Sequence, residues 1–273
     1  PPFLRAVLAV VHGDIATVRL LLTADPSLIH QRAAQPHRAQ LLHYIGANGV
    51  ENPLQHTPPN AVEICRLLLE AGAEPDGLCQ TYGGGPNQTT LNLLISSGWP
   101  HKAGLQVELA RVLIGAGAAV NGRLNDGAPL RTALDFGYTD TARALADAGA
   151  RIDALDLAAG LGQLDALDLL WEAAPENPPE PQGGWIPASN GRFHAFVLAC
   201  RNGQVEAALR LADLGVDINS RPDQAGTGLQ EAILWDRVQV VRSLLARGAD
   251  PSVTHGRFQA TALQLASYNG RVR

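Results

Sequence analysis

Several residue types are scarce in this chain, and each scarcity removes a class of function. Of its 273 residues only 3 are cysteine, at positions 65, 79 and 200, which is too few and too widely spaced for a disulfide framework or a zinc site. Lys102 is the only lysine, and the net charge is -5. The arginines are scattered, so no basic stripe favours nucleic acid. No apolar run approaches the roughly 20 residues of a membrane helix. We therefore expect neither nucleic-acid binding nor membrane insertion.

Signatures of catalysis and of cofactor binding are also missing. No two of the eight histidines stand four residues apart as in a helical zinc site, and no His-Glu-x-x-His motif occurs. The glycine-rich stretch at 82–85 is followed by no Gly-Lys-Ser/Thr, and no Gly-x-Ser-x-Gly elbow is present. We expect no cofactor, no metal and no catalytic residue, and an enzyme is the less favoured interpretation.

Methionine is absent and the chain opens on Pro1-Pro2, which is typical of a trimmed fragment. No secretory signal is visible, and we expect a cytoplasmic location, although a trimmed chain could have lost a signal.

A short sequence motif recurs along the chain: a leucine-rich run, then Ala-Gly-Ala or a near copy, then a polar stretch. It occurs at 66–73, 111–118, 143–150, 211–217 and 243–250. Gly215 and Gly248 are 33 positions apart, Gly117 and Gly149 are 32 apart, and Gly149 and Gly215 are 66 apart. A fixed period of this length indicates stacked repeats.

The segment 227–251 shows the unit most clearly. Apolar residues at 229, 232 and 233 share one helical face, and those at 238, 241, 244 and 245 form the stripe of a second helix. Gly248 suits a left-handed position that ends this helix. The pattern predicts two short antiparallel helices followed by an extended polar link.

This unit resembles the ankyrin repeat, whose first helix opens Thr-Pro-Leu-His-x-Ala and whose second ends Leu-Leu-x-x-Gly-Ala. The opening survives in part, as at 41–43, 90–92, 129–131, 228–230 and 262–264. The sequence at 57–60, 82–85 and 87–90 resembles that of a bacterial ankyrin-domain group of unassigned function. The resemblance implies an all-α solenoid that binds proteins, and it gives His43 a structural role in bridging neighbouring turns.

We predict one solenoid over residues 1–273, with insertions in repeats two and three and after repeat five. The predicted repeats span 3–34, 39–78, 87–122, 127–152, 153–188, 193–221 and 226–255, with a partial eighth at 260–273. Terminal repeats usually carry polar caps, and none is visible here. We therefore expect the native chain to continue beyond Arg273.

The resemblance places a concave groove at the last turn of each first helix. Phe136, Trp235 and Tyr268 fall there, together with Arg201, and large aromatic and arginine side chains dominate binding energy. With Tyr82 and Trp99 on inserted loops, they are the predicted contacts for another protein, bound by a monomer. The alternative for Phe136 and Trp235 is packing onto the adjacent repeat.

Two further hypotheses remain open. The insertions of repeats two and three could converge on a small-molecule or enzymatic pocket made by His56, Tyr82, Trp99 and His101. The chain could also be a spacer within a larger multidomain protein.

Overall fold

The computed structural model describes residues 1–81, 87–123, 127–174, 191–221, 226–268 and 270. Within these ranges there are helices and no strand, and Cys79 and Gln88 form an isolated antiparallel bridge. The α-helices are α1 Pro2–His12, α2 Ile15–Ala24, α3 Ala61–Glu70, α4 Thr90–Ile95, α5 Gly98–Lys102, α6 Gln106–Gly115, α7 Ala128–Asp135, α8 Thr139–Asp147, α9 Leu155–Leu161, α10 Leu164–Trp171, α11 Arg192–Arg201, α12 Val205–Asp213, α13 Gly228–Leu234, α14 Val238–Ala246 and α15 Ala262–Tyr268. Short 3-10 helices cover Pro26–Ile29, Leu41–Gly46 and Asn52–Leu54.

The chain divides into two compact units. The first comprises Pro1–Ala133 with Asp140–Arg151, and the second comprises Leu134–Thr139 with Ile152–Arg273. The predicted single solenoid and its repeat spans stay predictions. Tyr82 and most of the proline-rich link after repeat five lie outside the described residues.

The first unit is built from short helices that pack in pairs. Helix α1 packs on α2 and on the 3-10 helix Leu41–Gly46, which in turn contacts α3 and α4. Helix α6 then packs on α3 and α4. Buried leucine and isoleucine side chains fill these contacts, because each helix turns an apolar face towards its neighbours.

The second unit repeats one arrangement three times. Helices α9 and α10, α11 and α12, and α13 and α14 pack as pairs, and α11 lies between α9 and α13. The second helices also contact in sequence, α10 with α12 and α12 with α14. One continuous apolar cluster, including Phe196, Leu211, Leu229 and Leu244, runs through all three pairs.

Left-handed residues end the helices where the sequence predicts. Gly248 has φ +87°, as expected for a residue that stops a second helix, and Gly215 has φ +105°. Between the two helices of a pair, Gly137, Gly162 and Gly203 also have positive φ, and Asp236 takes this role after α13. These pairs confirm the all-α, helix-turn-helix architecture. No helix among the described residues is long and apolar enough to cross a membrane.

Candidate functional site

The predicted groove residues of the second unit lie where its first helices end. Phe136 follows α7, Arg201 closes α11, and Trp235 follows α13. We call Phe136, Arg201 and Trp235, with the residues that hold them, the first-helix strip. Phe136 and Trp235 are both partly buried.

Both aromatic rings have partners within the unit. The ring of Phe136 stacks on that of Tyr138, with centroids 5.7 Å apart and planes 18° from parallel. The ring of Trp235 lies directly over Gly137, where a Cβ atom would come within 2.5 Å of Trp235 Cε3. Gly137 also has φ +62°, so this position favours glycine twice over. Phe136 thus packs on a residue of its own predicted repeat, and Trp235 packs on a residue of predicted repeat four, so neither contact is the predicted packing onto the adjacent repeat.

Arg201 turns its guanidinium into the unit rather than towards solvent. Its Nε and Nη2 atoms lie 3.1 Å and 3.0 Å from Glu231 Oε2, and Nη1 donates to the carbonyl of Asp135 at 2.6 Å. The side chain is 18% exposed. These bonds tie α11 to the end of α7 and to α13, so Arg201 positions the strip and offers little surface of its own.

Arg237 reinforces the same framework. Its Nε donates to the carbonyl of Arg201 at 2.8 Å, and its Nη2 donates to the carbonyl of Gly137 at 2.8 Å. Asn202 adds a bond from its side-chain amide to the carbonyl of Leu134 at 2.9 Å. Carbonyls at and beyond the helix ends are thus bound by side chains from other predicted repeats.

Behind the strip lies a histidine between two carboxylates. His194 Nδ1 is 3.1 Å from Asp156 Oδ2, and His194 Nε2 is 3.7 Å from Asp135 Oδ1. The side chains of Asp156 and Asp135 are 0% and 3% exposed, and that of His194 is 13% exposed. Asp135 Oδ1 also lies 3.9 Å from Arg201 Nη1, which links this cluster to the strip.

Asp135 and Asp156 determine which protonation state of His194 is favoured. Burial by itself would lower the pKa of His194, but Asp135 and Asp156 outweigh burial and raise that pKa above its usual value. No sequence pattern predicted a role for His194, Asp156, Glu231 or Arg237. A charged residue inside the apolar run Leu155-Asp156-Leu157 was the available signal, because a buried charge needs a partner.

Of the other predicted contacts, Tyr268 is 91% exposed at the end of α15, and Trp99 is 50% exposed on α5. Tyr82 lies outside the described residues.

In the first unit, the helix ends at 47–48 and 96–97 carry small and polar residues that bond to each other. Asn48 Nδ2 donates to Ser96 Oγ at 2.9 Å, and Ser97 Oγ donates to the carbonyl of Ala47 at 2.9 Å.

The structure brings together two of the four residues of the alternative pocket. The rings of His56 and Trp99 meet edge to face with centroids 6.3 Å apart. A cavity of about 240 Å³ next to Trp99 is lined by Asn48, Gln55, Ser96, Ser97, Gly98 and Lys102. His101 is exposed in the last turn of α5. No cluster of three potential metal ligands occurs in the part of the chain that the structure describes.

Comparison with known proteins finds similarity among solved structures. No family model matches the chain, and no curated protein matches it. Among solved structures, it is similar to the human ASB11 ankyrin repeat domain, at 18% sequence identity and a TM-score of 0.45. The match covers 95% of this chain and 90% of that one.

Proposed function

We propose that this chain is a non-catalytic scaffold that binds another protein through the first-helix strip of its second unit. The observation that carries the proposal is the strip itself: two partly exposed aromatic residues on a framework of arginines that bind the surrounding backbone. Aromatic side chains of this kind supply large contact area on binding surfaces. Phe136 and Trp235 are the contact residues, and Arg201 binds the carbonyl of Asp135, next to Phe136, and the side chain of Glu231 on α13.

The framework explains why such a surface would bind efficiently. Side chains that must be ordered on binding cost roughly 0.5–1.5 kcal/mol each, and a surface already held in place avoids much of that cost. Trp235 is seated on Gly137, and Phe136 is stacked on Tyr138. Tyr268, Trp99 and Tyr82 remain additional proposed contacts, and the monomer is the proposed binding form.

The test is affinity capture from the native host, followed by mass spectrometry, with wild-type protein and a Phe136→Ala/Trp235→Ala variant. We expect proteins captured by the wild type to be lost with the double variant while its helical circular dichroism and melting temperature persist. Leu169→Ala is the matched control, because Leu169 is 83% exposed in the same unit and lies outside the strip. Unchanged capture by the double variant would contradict the proposal.

Collapse of the fold in the double variant would show that the rings serve the core of the unit. Trp235→Phe then provides the second measurement, because it keeps a ring over Gly137 and removes the indole edge. Loss of capture by a folded Trp235→Phe protein would still support a contact role. Full capture by that variant would count against it.

A second candidate function rests on the contact between His56 and Trp99 beside the cavity lined by Lys102. This arrangement could hold a small polar ligand, as the alternative hypothesis states. A thermal-shift screen of small metabolites provides the test. A compound that stabilises the wild type and not a His56→Ala/Trp99→Ala variant would favour it, and the absence of any such compound would count against it.

A further inference from the structure

Asp135 is the least satisfied member of the charge cluster behind the first-helix strip. Its side chain is 3% exposed, and its buried Oδ1 atom has no hydrogen-bond partner among the described residues. Two cationic groups lie just beyond hydrogen-bond distance of this atom, His194 Nε2 at 3.7 Å and Arg201 Nη1 at 3.9 Å. The burial of Asp135 Oδ1 therefore depends on the positive charge of its neighbours rather than on hydrogen bonds.

Asp156 lies closer to the other side of the same imidazole. His194 Nδ1 is 3.1 Å from Asp156 Oδ2, which is within hydrogen-bond distance. When the imidazolium of His194 loses one proton to water, the proton on Nδ1 stays, because it is donated to a carboxylate. The proton therefore leaves Nε2, and a lone pair then faces Asp135 Oδ1 in place of an N–H group. Deprotonation thus exchanges an attractive neighbour of Asp135 for a repulsive one.

The other charges around α11 do not replace this imidazolium. Helix α11 packs on α9, α12 and α13. The charged residue of α9 is Asp156, and that of α13 is Glu231, which binds Arg201 at 3.0 Å. The remaining charged side chains of α11 and α12 are exposed or have other partners: Glu206, Arg210 with Asp168, Asp213 with Arg247, and Arg192 over the ring of Trp171.

The charged form of His194 extends to higher pH than in a free histidine. Burial favours the neutral form, but Asp135 and Asp156 outweigh it and raise the pKa of His194 above its usual value. The N–H group on Nε2 therefore faces Asp135 at pH values below this raised pKa, and it is lost as pH rises through it.

Asp135 connects this charge to the strip. It is the last residue of α7, and Phe136 and Gly137 follow directly. Its carbonyl accepts from Arg201 Nη1 at 2.6 Å. The ring of Trp235 covers Gly137 so closely that a Cβ atom there would lie 2.5 Å from Trp235 Cε3. Because closely packed groups transmit displacement, a movement at the end of α7 displaces the indole ring.

We propose that the His194–Asp135 ion pair is a pH-sensitive switch for the first-helix strip. While His194 is charged, the end of α7 is held and the strip is ordered; when His194 is neutral, Asp135 shifts and the strip loosens. His194 and Asp135 are then positioning residues that do not touch the partner. The effect on binding rests on the proposed function, whereas the coupling between His194 and Trp235 belongs to the second unit itself.

An NMR titration of the full chain from about pH 5 to about pH 10 tests the coupling without a partner. The carbon-bound ring protons of the four tryptophans report on the indoles, and the signals of Trp235 are those lost in Trp235→Phe. The ring signals of His194 are those lost in His194→Gln. We expect the Trp235 signals to shift with the same midpoint as His194. Burial lowers the pKa of His255, so its titration lies at lower pH and does not interfere.

Three variants separate the charge of His194 from other effects of pH. In His194→Gln, which cannot titrate, the Trp235 signals should not change through the wild-type midpoint of His194. In Asp135→Asn, His194 should still titrate, but the Trp235 signals should no longer follow it. His30→Gln, at an exposed histidine, is the matched control and should behave like the wild type.

Two results would overturn the coupling. The first is a Trp235 signal in the wild type that does not change through the midpoint of His194. The second is a Trp235 signal that follows His194 equally well in folded Asp135→Asn. If His194→Gln unfolds by circular dichroism, the wild type and Asp135→Asn still decide the question.

A partner captured through the strip tests the effect on binding. Its affinity for the wild type should fall about fivefold or more between pH values below and above the midpoint of His194, as for ordinary coupling between two sites. Its affinity for His194→Gln should be the same at both pH values. Equal affinity of the wild type at both pH values would overturn the switch. Failure to capture any partner would instead count against the strip as a binding surface, and the NMR titration would still decide the coupling.

Discussion

His43 in the first unit and His194 in the second are both enclosed by the fold, yet their partners give them opposite charge preferences. His43 is 0% exposed; its Nδ1 accepts from the N–H of Gln40 at 3.1 Å, and its Nε2 donates to the carbonyl of Gly77 at 2.9 Å. One bond accepted and one donated suit a neutral imidazole. Burial lowers the pKa of His43 to about 4.

His194 contacts carboxylates instead of backbone groups. Asp156 and Asp135 flank its two ring nitrogens and hold its pKa above the usual value despite burial. Burial by itself therefore does not determine the charge of a histidine. Neutral partners leave burial to favour the uncharged form, whereas two nearby carboxylates reverse that preference.

Of the substitutions considered, removal of the His194 imidazole should reduce stability most. His194→Ala leaves Asp135 and Asp156 buried without their shared partner, and we expect the free energy of unfolding to fall by about 3–5 kcal/mol. Urea denaturation near pH 6 measures it. His30→Ala, at an exposed histidine, should change stability by less than about 0.5 kcal/mol. A loss of under about 1 kcal/mol in His194→Ala would mean that the carboxylates do not depend on His194.

The pH dependence of stability should have opposite signs at the two sites. The contribution of His43 is present above its unfolded pKa near 6.5 and is lost as pH falls towards about 4, at a cost of about 3 kcal/mol there. The contribution of His194 is fully present below about 6.5 and is lost as pH rises through its raised folded pKa. Hydrogen exchange of amides around each histidine would resolve the two sites. If protection from exchange changed with pH in the same direction around both histidines, the predicted contrast would be refuted.

A somewhat smaller effect is expected from His43→Leu. The leucine fills much of the space but leaves the N–H of Gln40 and the carbonyl of Gly77 unpaired, so we expect a loss of about 2 kcal/mol. The difference in stability between wild type and variant should also shrink on acidification, because the wild type alone must protonate His43. Equal acid dependence in both proteins, by urea titration at each pH, would show that His43 is not the titrating group.

The smallest expected effect is on a single pKa. Asp156→Asn removes one of the two carboxylates around His194, and we expect the pKa of His194 to fall by about one unit. Proton NMR titration of the histidine rings measures this directly. The pKa of His43 should not change, which makes it an internal control. An unchanged pKa of His194 would assign its shift to Asp135.

The structural role of His43 could be predicted from the sequence, whereas the ion pairing of His194 could not. The repeat motif at 41–43 predicts a structural, turn-bridging His43, and its bond to Gly77 agrees with that role. His194 and Asp156 are 38 residues apart on different helices, and no motif joins them. The aromatic positions of the strip could be read from the period, but the inward turn of Arg201 onto Glu231 could not, since it depends on where the next repeat lies.

Local sequence signals specify the helix-turn-helix pairs and the left-handed Gly248 that follows α14. These are local signals, because a helix and its ends depend on residues only a few positions apart. Which charges meet and which apolar faces are covered depends instead on how the helices pack together. Leu229 and Leu263 have the same caps and the same place in their helices, yet one is buried and the other exposed. The physical reason is that burial and ion pairing are set by neighbouring elements, which a repeated local pattern does not specify.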